Sequence, residues 1–200
     1  MIANNYWRGK IKIVIINKKK LVILITIVIT FIIAIIYIPA KIQKVIYKKE
    51  YSEYVEKYAK SYNVDENLVY AVIKVESNFK SDAKSNKDAI GLMQLVEGTA
   101  KDVSKKVDMQ LTDGDLKNQL LKPDININLG TKYLSILLER YNNIEIAVTA
   151  YNAGIGTVDN WIEKGIIKPD GSDIENVPYK ETNNYVRKIL RDYKIYAKFQ

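Results

Sequence analysis

The chain has 200 residues, 48% of them hydrophobic, with 31 Lys and Arg against 23 Asp and Glu, which suits one ordinary domain plus an appendage and excludes a disordered tail. It contains no cysteine and no histidine, so disulfide frameworks, thiolate nucleophiles, Ser-His-Asp triads and His-bearing metal sites are excluded. Acid–base chemistry falls to carboxylates, Lys or Tyr, and neither a metal nor an organic cofactor is expected.

The formal charge of +8 sits at one end of the chain. Residues 1–20 hold Arg8, Lys10, Lys12, Lys18, Lys19 and Lys20, no acid precedes Glu50, and the body beyond is close to neutral. No basic stripe with interleaved aromatics is present, which argues against a nucleic-acid partner. Residues 21–38, LVILITIVITFIIAIIYI, carry no charge and are followed by Pro39. As a helix they span about 27 Å, close to the hydrocarbon core of a bilayer. The run is longer than a signal-peptide core and lacks a small-x-small cleavage site, so an uncleaved single-pass transmembrane anchor is predicted. A buried core helix is the alternative. Six cations precede the run, whereas Lys41, Lys44, Lys48 and Lys49 follow it. That bias predicts a cytoplasmic segment over 1–20 and the rest of the chain on the cell-wall side of the membrane.

Residues 39–57 read as a charged, Tyr-bearing helical stalk, with Ile42, Val45 and Ile46 at helical spacing. Residues 58–200 read as one mainly α domain. Asp65 is the predicted N-cap of a helix through ENLVYAVIKVE, and Thr99 that of a helix through AKDVSKKV. Ile127, Tyr133, Leu134, Leu137 and Leu138 predict a helix within DININLGTKYLSILLERYN. IEIAVTAYNAG predicts another that stops at Gly154. The stretch ETNNYVRKILRDYKIYAKF places Tyr185, Ile189, Tyr193 and Tyr196 near one helical face.

Glu76 is the conspicuous residue. Leu68, Val72, Val75 and Glu76 stand at i, i+4, i+7 and i+8, so this carboxyl lies beside the apolar face of its helix. Apolar flanks favour the protonated carboxyl and suit it to donating a proton near neutrality. On this helix alone a second role fits equally: a half-exposed acid paired with Lys74 or Lys80.

The motifs VESNF at 75–79, GLMQL at 91–95, AYNAG at 150–154 and YKETNNYV at 179–186 occur in this order. Together they resemble the lytic transglycosylase domain, the glycoside hydrolase family 23 type with a lysozyme-like fold, from about Tyr58 to Tyr196. The resemblance implies that Glu76 is the single catalytic acid, with Ser77 beside it. Gln94 is similar to a glutamine that hydrogen-bonds an N-acetyl sugar. Tyr151 and Asn152 match an aromatic and an amide lining the cleft, and Glu181 and Tyr185 match side chains reaching in from the last helix. Where the family continues Met-Gln with a hydrophobic residue, Met and Pro, this chain has Leu95, Val96 and Glu97, a departure that touches one subsite. Leu92, Met93, Tyr133, Tyr141, Tyr193 and Tyr196 are expected in packing roles, and Trp161 is a candidate border of the groove.

Ordinary glycosidases flank the scissile bond with two carboxylates. The resemblance implies instead that the 6-hydroxyl of muramic acid attacks its own anomeric centre, an intramolecular step of high effective concentration. One carboxyl then protonates the leaving oxygen and afterwards takes the hydroxyl proton. The implied substrate is peptidoglycan, cut at the MurNAc-β-1,4-GlcNAc bond to leave 1,6-anhydro-MurNAc ends. Implied partners are glycan strands, the membrane through the N-terminal helix, and an envelope-spanning or wall-assembly apparatus. Two alternatives stay open: a hydrolytic muramidase using Glu97, Asp102 or Glu181 as a second acid, and a non-catalytic peptidoglycan-binding protein.

Overall fold

The computed structural model describes residues 17–199, which divide into a unit ending at Ile46 and a unit from Tyr47 onward. In the first, helix α1 runs over Lys18–Ile46. Leu21, Val22, Ile23, Leu24 and Ile25, which together go round the helix, are all exposed. Thr26 and Thr30 return their hydroxyls to the carbonyls of Val22 and Ile27 at 2.9 Å, which satisfies both polar groups within the helix. The helix does not stop at Pro39 but carries through it to Ile46, at the cost of one backbone hydrogen bond. Among the described residues no helix is long and apolar enough to cross a membrane. The transmembrane segment expected over 21–38 includes Ile36 and Ile38, whose side chains lie outside the described residues.

The second unit is built from α2 (Ser52–Ser61), α3 (Glu66–Glu76), α4 (Glu97–Lys106), α5 (Leu116–Leu120), α6 (Pro123–Tyr141), α7 (Ile144–Ala153), α8 (Ile155–Glu163) and α9 (Lys180–Tyr196). Among the described residues strand-like pairing is confined to the isolated bridges Lys84–Ile90 and Ile90–Leu95. Asp65 caps α3 as expected, accepting from the Asn67 N–H at 2.8 Å. Asn143 does the same for α7 by accepting from the Ile146 N–H at 2.8 Å, and α6 opens on Pro123, which has no N–H to leave unsatisfied. Gly154, at φ 88, ends α7 and opens α8. The Thr99 cap is corrected: the cap position is Val96, three residues earlier, where the Ala100 N–H already bonds the Val96 carbonyl at 3.0 Å, and Thr99 lies inside the first turn.

The core forms where α3 meets α9: Leu68, Val72 and Ile73 pack with Val186, Ile189 and Tyr196, each buried aliphatic side chain being worth about 1.5–3 kcal/mol. Leu92 and Met93, as expected, are fully buried here. A second cluster joins Leu137 of α6 to Ile146 and Trp161, and a third joins Leu95 and Val103 to Leu116 and Leu129. Residues 47–57, expected in the stalk, belong to this body. Val55 is fully buried and Tyr51 and Tyr54 pack on the core. Tyr47 meets Tyr196 edge-on at 5.4 Å and its hydroxyl donates to Asp192 at 3.0 Å. The amphipathic face of α2 has partners in α3 and α6, so it folds down onto them.

Candidate active site

Glu76 is the last residue of α3 and borders a cleft of about 360 Å³ shared with the turn around Gln94, α7 and the start of α9. Burial pushes its carboxyl up from 4.5 to about 7, against the opposing effect of a hydrogen bond from Tyr185. That bond, from the Tyr185 hydroxyl to Glu76 Oε1, is 2.7 Å long. Neither Lys74 nor Lys80 is needed as partner, and the Lys74 ammonium goes to Asn78 Oδ1 instead. Burial, reinforced by the Glu76 charge, pushes the phenols of Tyr185 and Tyr151 well above their usual value. Both therefore stay neutral.

The turn Gly91–Leu95 forms the cleft wall because its backbone is pinned from below. Asn126 of α6, fully buried, accepts from the Met93 N–H at 2.7 Å and donates to the carbonyls of Ile90 and Leu120 at 2.9 and 2.8 Å. Gly91 takes φ +80, and a Cβ there would stand 2.3 Å from Asn126 Nδ2 and 2.4 Å from the Leu120 oxygen, so only glycine fits. Gln94 also sits at positive φ. Its amide nitrogen donates to the carbonyls of Ala83 and Gly91 at 3.1 and 2.9 Å. Tyr151 of α7 holds the same turn from the side, its hydroxyl donating to the Met93 carbonyl at 2.8 Å. Its ring stands 5.2 Å from that of Tyr133. Asn152 accepts from the Thr182 hydroxyl at 2.8 Å, joining α7 to α9.

Of the residues singled out in the sequence, Glu76, Gln94, Tyr151, Asn152 and Glu181 line one cleft, and Tyr185 reaches Glu76 from α9. Ser77 is not among the lining residues. It is buried, and its hydroxyl donates to the Ile73 carbonyl at 3.1 Å, closing the end of α3. Trp161 does not border the groove: it is buried in the second cluster and meets Tyr179 edge-on at 5.0 Å. Tyr133, expected in packing alone, lines the cleft. Of the candidate second acids, Glu97 pairs with Lys117 at 3.6 Å and Asp102 with Lys105 at 3.7 Å. Neither is a lining residue. Asn126 and Lys87 escaped sequence reasoning, and Thr99, read there only as a cap, lines the cleft. Asn126 had a signal, an amide at helical spacing from Leu129, Gly130 and Tyr133, where a buried polar group calls for a backbone to bind.

A helical body, without strands among the described residues, thus closes a cleft around the carboxyl of Glu76 at the end of α3. Residues 53–170 match the Transglycosylase SLT domain family, and the chain belongs to it. It is 35% identical over 130 residues to a soluble lytic murein transglycosylase of Salmonella typhimurium, covering 64% of this chain and 20% of that protein. It is 40% identical over 105 residues to membrane-bound lytic murein transglycosylase C of Photorhabdus laumondii, covering 48% and 29%. The solved lytic transglycosylase Slt of Pseudomonas aeruginosa, an inactive Glu-to-Gln mutant, superposes with a TM-score of 0.67 at 33% identity, covering 76% of this chain and 25% of that one. The chain thus spans between a fifth and a third of the length of these relatives.

Proposed function

We propose that this chain is a membrane-anchored lytic transglycosylase that cuts the MurNAc-β-1,4-GlcNAc bond of peptidoglycan and leaves a 1,6-anhydro-MurNAc end. What carries this reading is Glu76, an enclosed carboxyl that titrates at about 7 and so holds its proton near neutrality. The other acid of the cleft, Glu181, is exposed and engaged by Lys87 at 3.2 Å, a poor state for a second catalytic carboxylate. A reaction that needs one acid fits this inventory better than one that needs two.

Glu76 gives its proton to the glycosidic oxygen as the bond breaks. The resulting carboxylate, held by the Tyr185 hydroxyl, then takes the proton of the muramic 6-hydroxyl as that oxygen closes on the anomeric carbon. Gln94, its nitrogen committed to the turn, offers its amide oxygen to an N-acetyl N–H, and Tyr133 and Tyr151 offer ring faces to the sugars. The Pseudomonas relative is described as inactive when one glutamate is changed to Gln, which is in keeping with a single essential acid. The uncharged run over 21–38 and the exposed apolar side chains of α1 support the anchor, as does the membrane-bound Photorhabdus relative. The basic segment 1–20 would then lie in the cytoplasm, with the catalytic body on the wall side, in reach of membrane-proximal strands and of a wall-assembly or envelope-spanning apparatus.

Digestion of purified wall with the full chain in detergent tests the chemistry by mass. Muropeptides lighter than their reducing counterparts by one water support it, and purely reducing ends defeat it. Glu76→Gln is expected to lower turnover by about 10²–10⁴, whereas a non-catalytic binder would be indifferent. Extraction of cell membranes at alkaline pH tests the anchor, since a spanning chain stays with the lipid.

A further inference from the structure

Lys87 and Glu181 come from distant parts of the chain and meet at the mouth of the cleft. Lys87 lies in the turn between the paired residues Lys84 and Ile90, which Ser85 organises by accepting from the N–H groups of Lys87 and Ala89 at 3.2 and 3.1 Å. Glu181 lies in the first turn of α9, one turn before the Tyr185 that holds Glu76. Lys87 Nζ stands 3.3 and 3.2 Å from the two Glu181 oxygens. Their side chains remain 78% and 74% exposed. Such a pair adds little to stability, so fold maintenance does not account for it. Among the described residues lining the cleft, Lys87 is the one cation.

A peptidoglycan strand brings more than sugar to that mouth. Each muramic acid carries a short peptide on its lactyl group, and that peptide ends in, and is studded with, carboxylates that project away from the glycan chain. Lys87 lines the same cleft as Glu76 and its side chain is largely exposed there, so it is open to a carboxylate carried on a strand bound in that cleft. An incoming carboxylate can take the place of the Glu181 carboxylate while Glu181 turns into water. The number of ion pairs is unchanged, so the exchange is cheap.

We infer that Lys87 is a specificity-determining residue that binds a stem-peptide carboxylate by exchanging Glu181 for it, and so favours strands with anionic stems over strands with uncharged ones. This rests on reading the cleft as a glycan-strand site. Until an anion arrives, Glu181 keeps Lys87 neutralised.

The test compares two preparations of the same strands, free of phosphate-bearing polymers: one with its stem carboxylates intact, the other with them converted to amides. Binding of each to the full-length Glu76→Gln chain in detergent is measured, so that strands are held and not cut. The ratio of the two dissociation constants is expected to favour the carboxylate form by no more than about twofold in the wild type, where the pair given up offsets the pair gained, and by up to about fivefold in Glu181→Gln. Lys87→Gln is expected to bring the ratio to one, Lys87→Arg to keep it, and Glu181→Gln, which removes the competitor, to raise it. Added salt is expected to erode the preference. A ratio unmoved by Lys87→Gln overturns the inference, as does Glu181→Gln moving it in the same direction as Lys87→Gln. Absence of anhydro ends in the wild-type digest would instead defeat the catalytic reading, while these binding ratios still decide the role of Lys87.

Discussion

Replacing Glu76 by Gln is expected to make the protein more stable above neutrality, at the same time as it lowers turnover. The carboxyl titrates at 4.5 when free and at about 7 in the folded chain, chiefly because burial disfavours its charge. Below pH 4.5 both states hold the proton and the group costs nothing. Between pH 4.5 and 7 the unfolded chain releases its proton while the folded chain retains it, so folding is progressively penalised. Above pH 7 the folded chain carries the charge at its full burial cost, about 3 kcal/mol at most for a shift of this size. Gln is neutral throughout, has the same shape, and can still accept the Tyr185 hydrogen bond. The expected difference between Gln and wild type is therefore near zero at pH 4 and about 2–3 kcal/mol in favour of Gln at pH 8. For a body of this size that is a rise in Tm of roughly 5–10 °C. Thermal unfolding followed by circular dichroism at pH 4, 6 and 8 reads it directly. If the two Tm curves run parallel across that range, Glu76 is not held in the environment described.

Tyr185→Phe removes the donor that favours the Glu76 carboxylate, so the acid is expected to hold its proton higher: the alkaline limb of the kcat/KM profile should move up by as much as about one pH unit, the worth of a hydrogen bond of about 1 kcal/mol. A limb that stays put or moves down contradicts the assignment. Asn126→Ala strands the Met93 N–H and the carbonyls of Ile90 and Leu120 in the core, for an expected loss of about 3–5 kcal/mol in urea unfolding. Gly91→Ala combines a positive φ with a Cβ driven into Asn126 and the Leu120 carbonyl. It is expected to cost about 2–4 kcal/mol and, at temperatures where the variant stays folded, to weaken strand binding as the turn bearing Gln94 shifts.

How much of this was legible in the sequence depends on how local each signal is. The helix from Asp65 to Glu76 was readable because its cap, its apolar stripe and its terminal acid all lie within a dozen residues. The stop at Gly154 was readable for the same reason. Thr99 misled because a hydroxyl at a plausible cap position competes with a backbone bond, Ala100 to Val96, that no composition reveals. Residues 47–57 misled because charge and tyrosine suit a solvent-exposed stalk until a partner surface exists; the aromatic cage of Tyr47, Tyr70 and Tyr196 is assembled from segments more than a hundred residues apart. Lys87 was invisible for the same reason, since its partner lies 94 residues away. Ser77 carried a family resemblance but not a free hydroxyl, because that hydroxyl turns back onto the Ile73 carbonyl, which also accepts the Ser77 N–H.

The position of Glu76 along its helix explains how one carboxyl can be kept protonated without a second acid beside it. It is the last residue of α3, where the helix dipole presents its negative end and opposes a further negative charge. Burial acts in the same direction, and only the Tyr185 hydroxyl acts against them. The chain then has to leave the helix abruptly, or the following residues would cover the carboxyl. It does so through Asn78 and Phe79, both at positive φ, a conformation costing about 1–2 kcal/mol per residue. Phe79 is locked there by burial of its ring against Tyr70. Gln94, across the cleft, is also at positive φ, and its turn is held by Asn126 and Tyr151. Strained backbone just after Glu76 and at Gln94 is thus fixed by packing and buried hydrogen bonds behind the site. That leaves a cleft lined by both the acid and the amide, in which a neutral carboxyl is favoured until a leaving oxygen takes its proton.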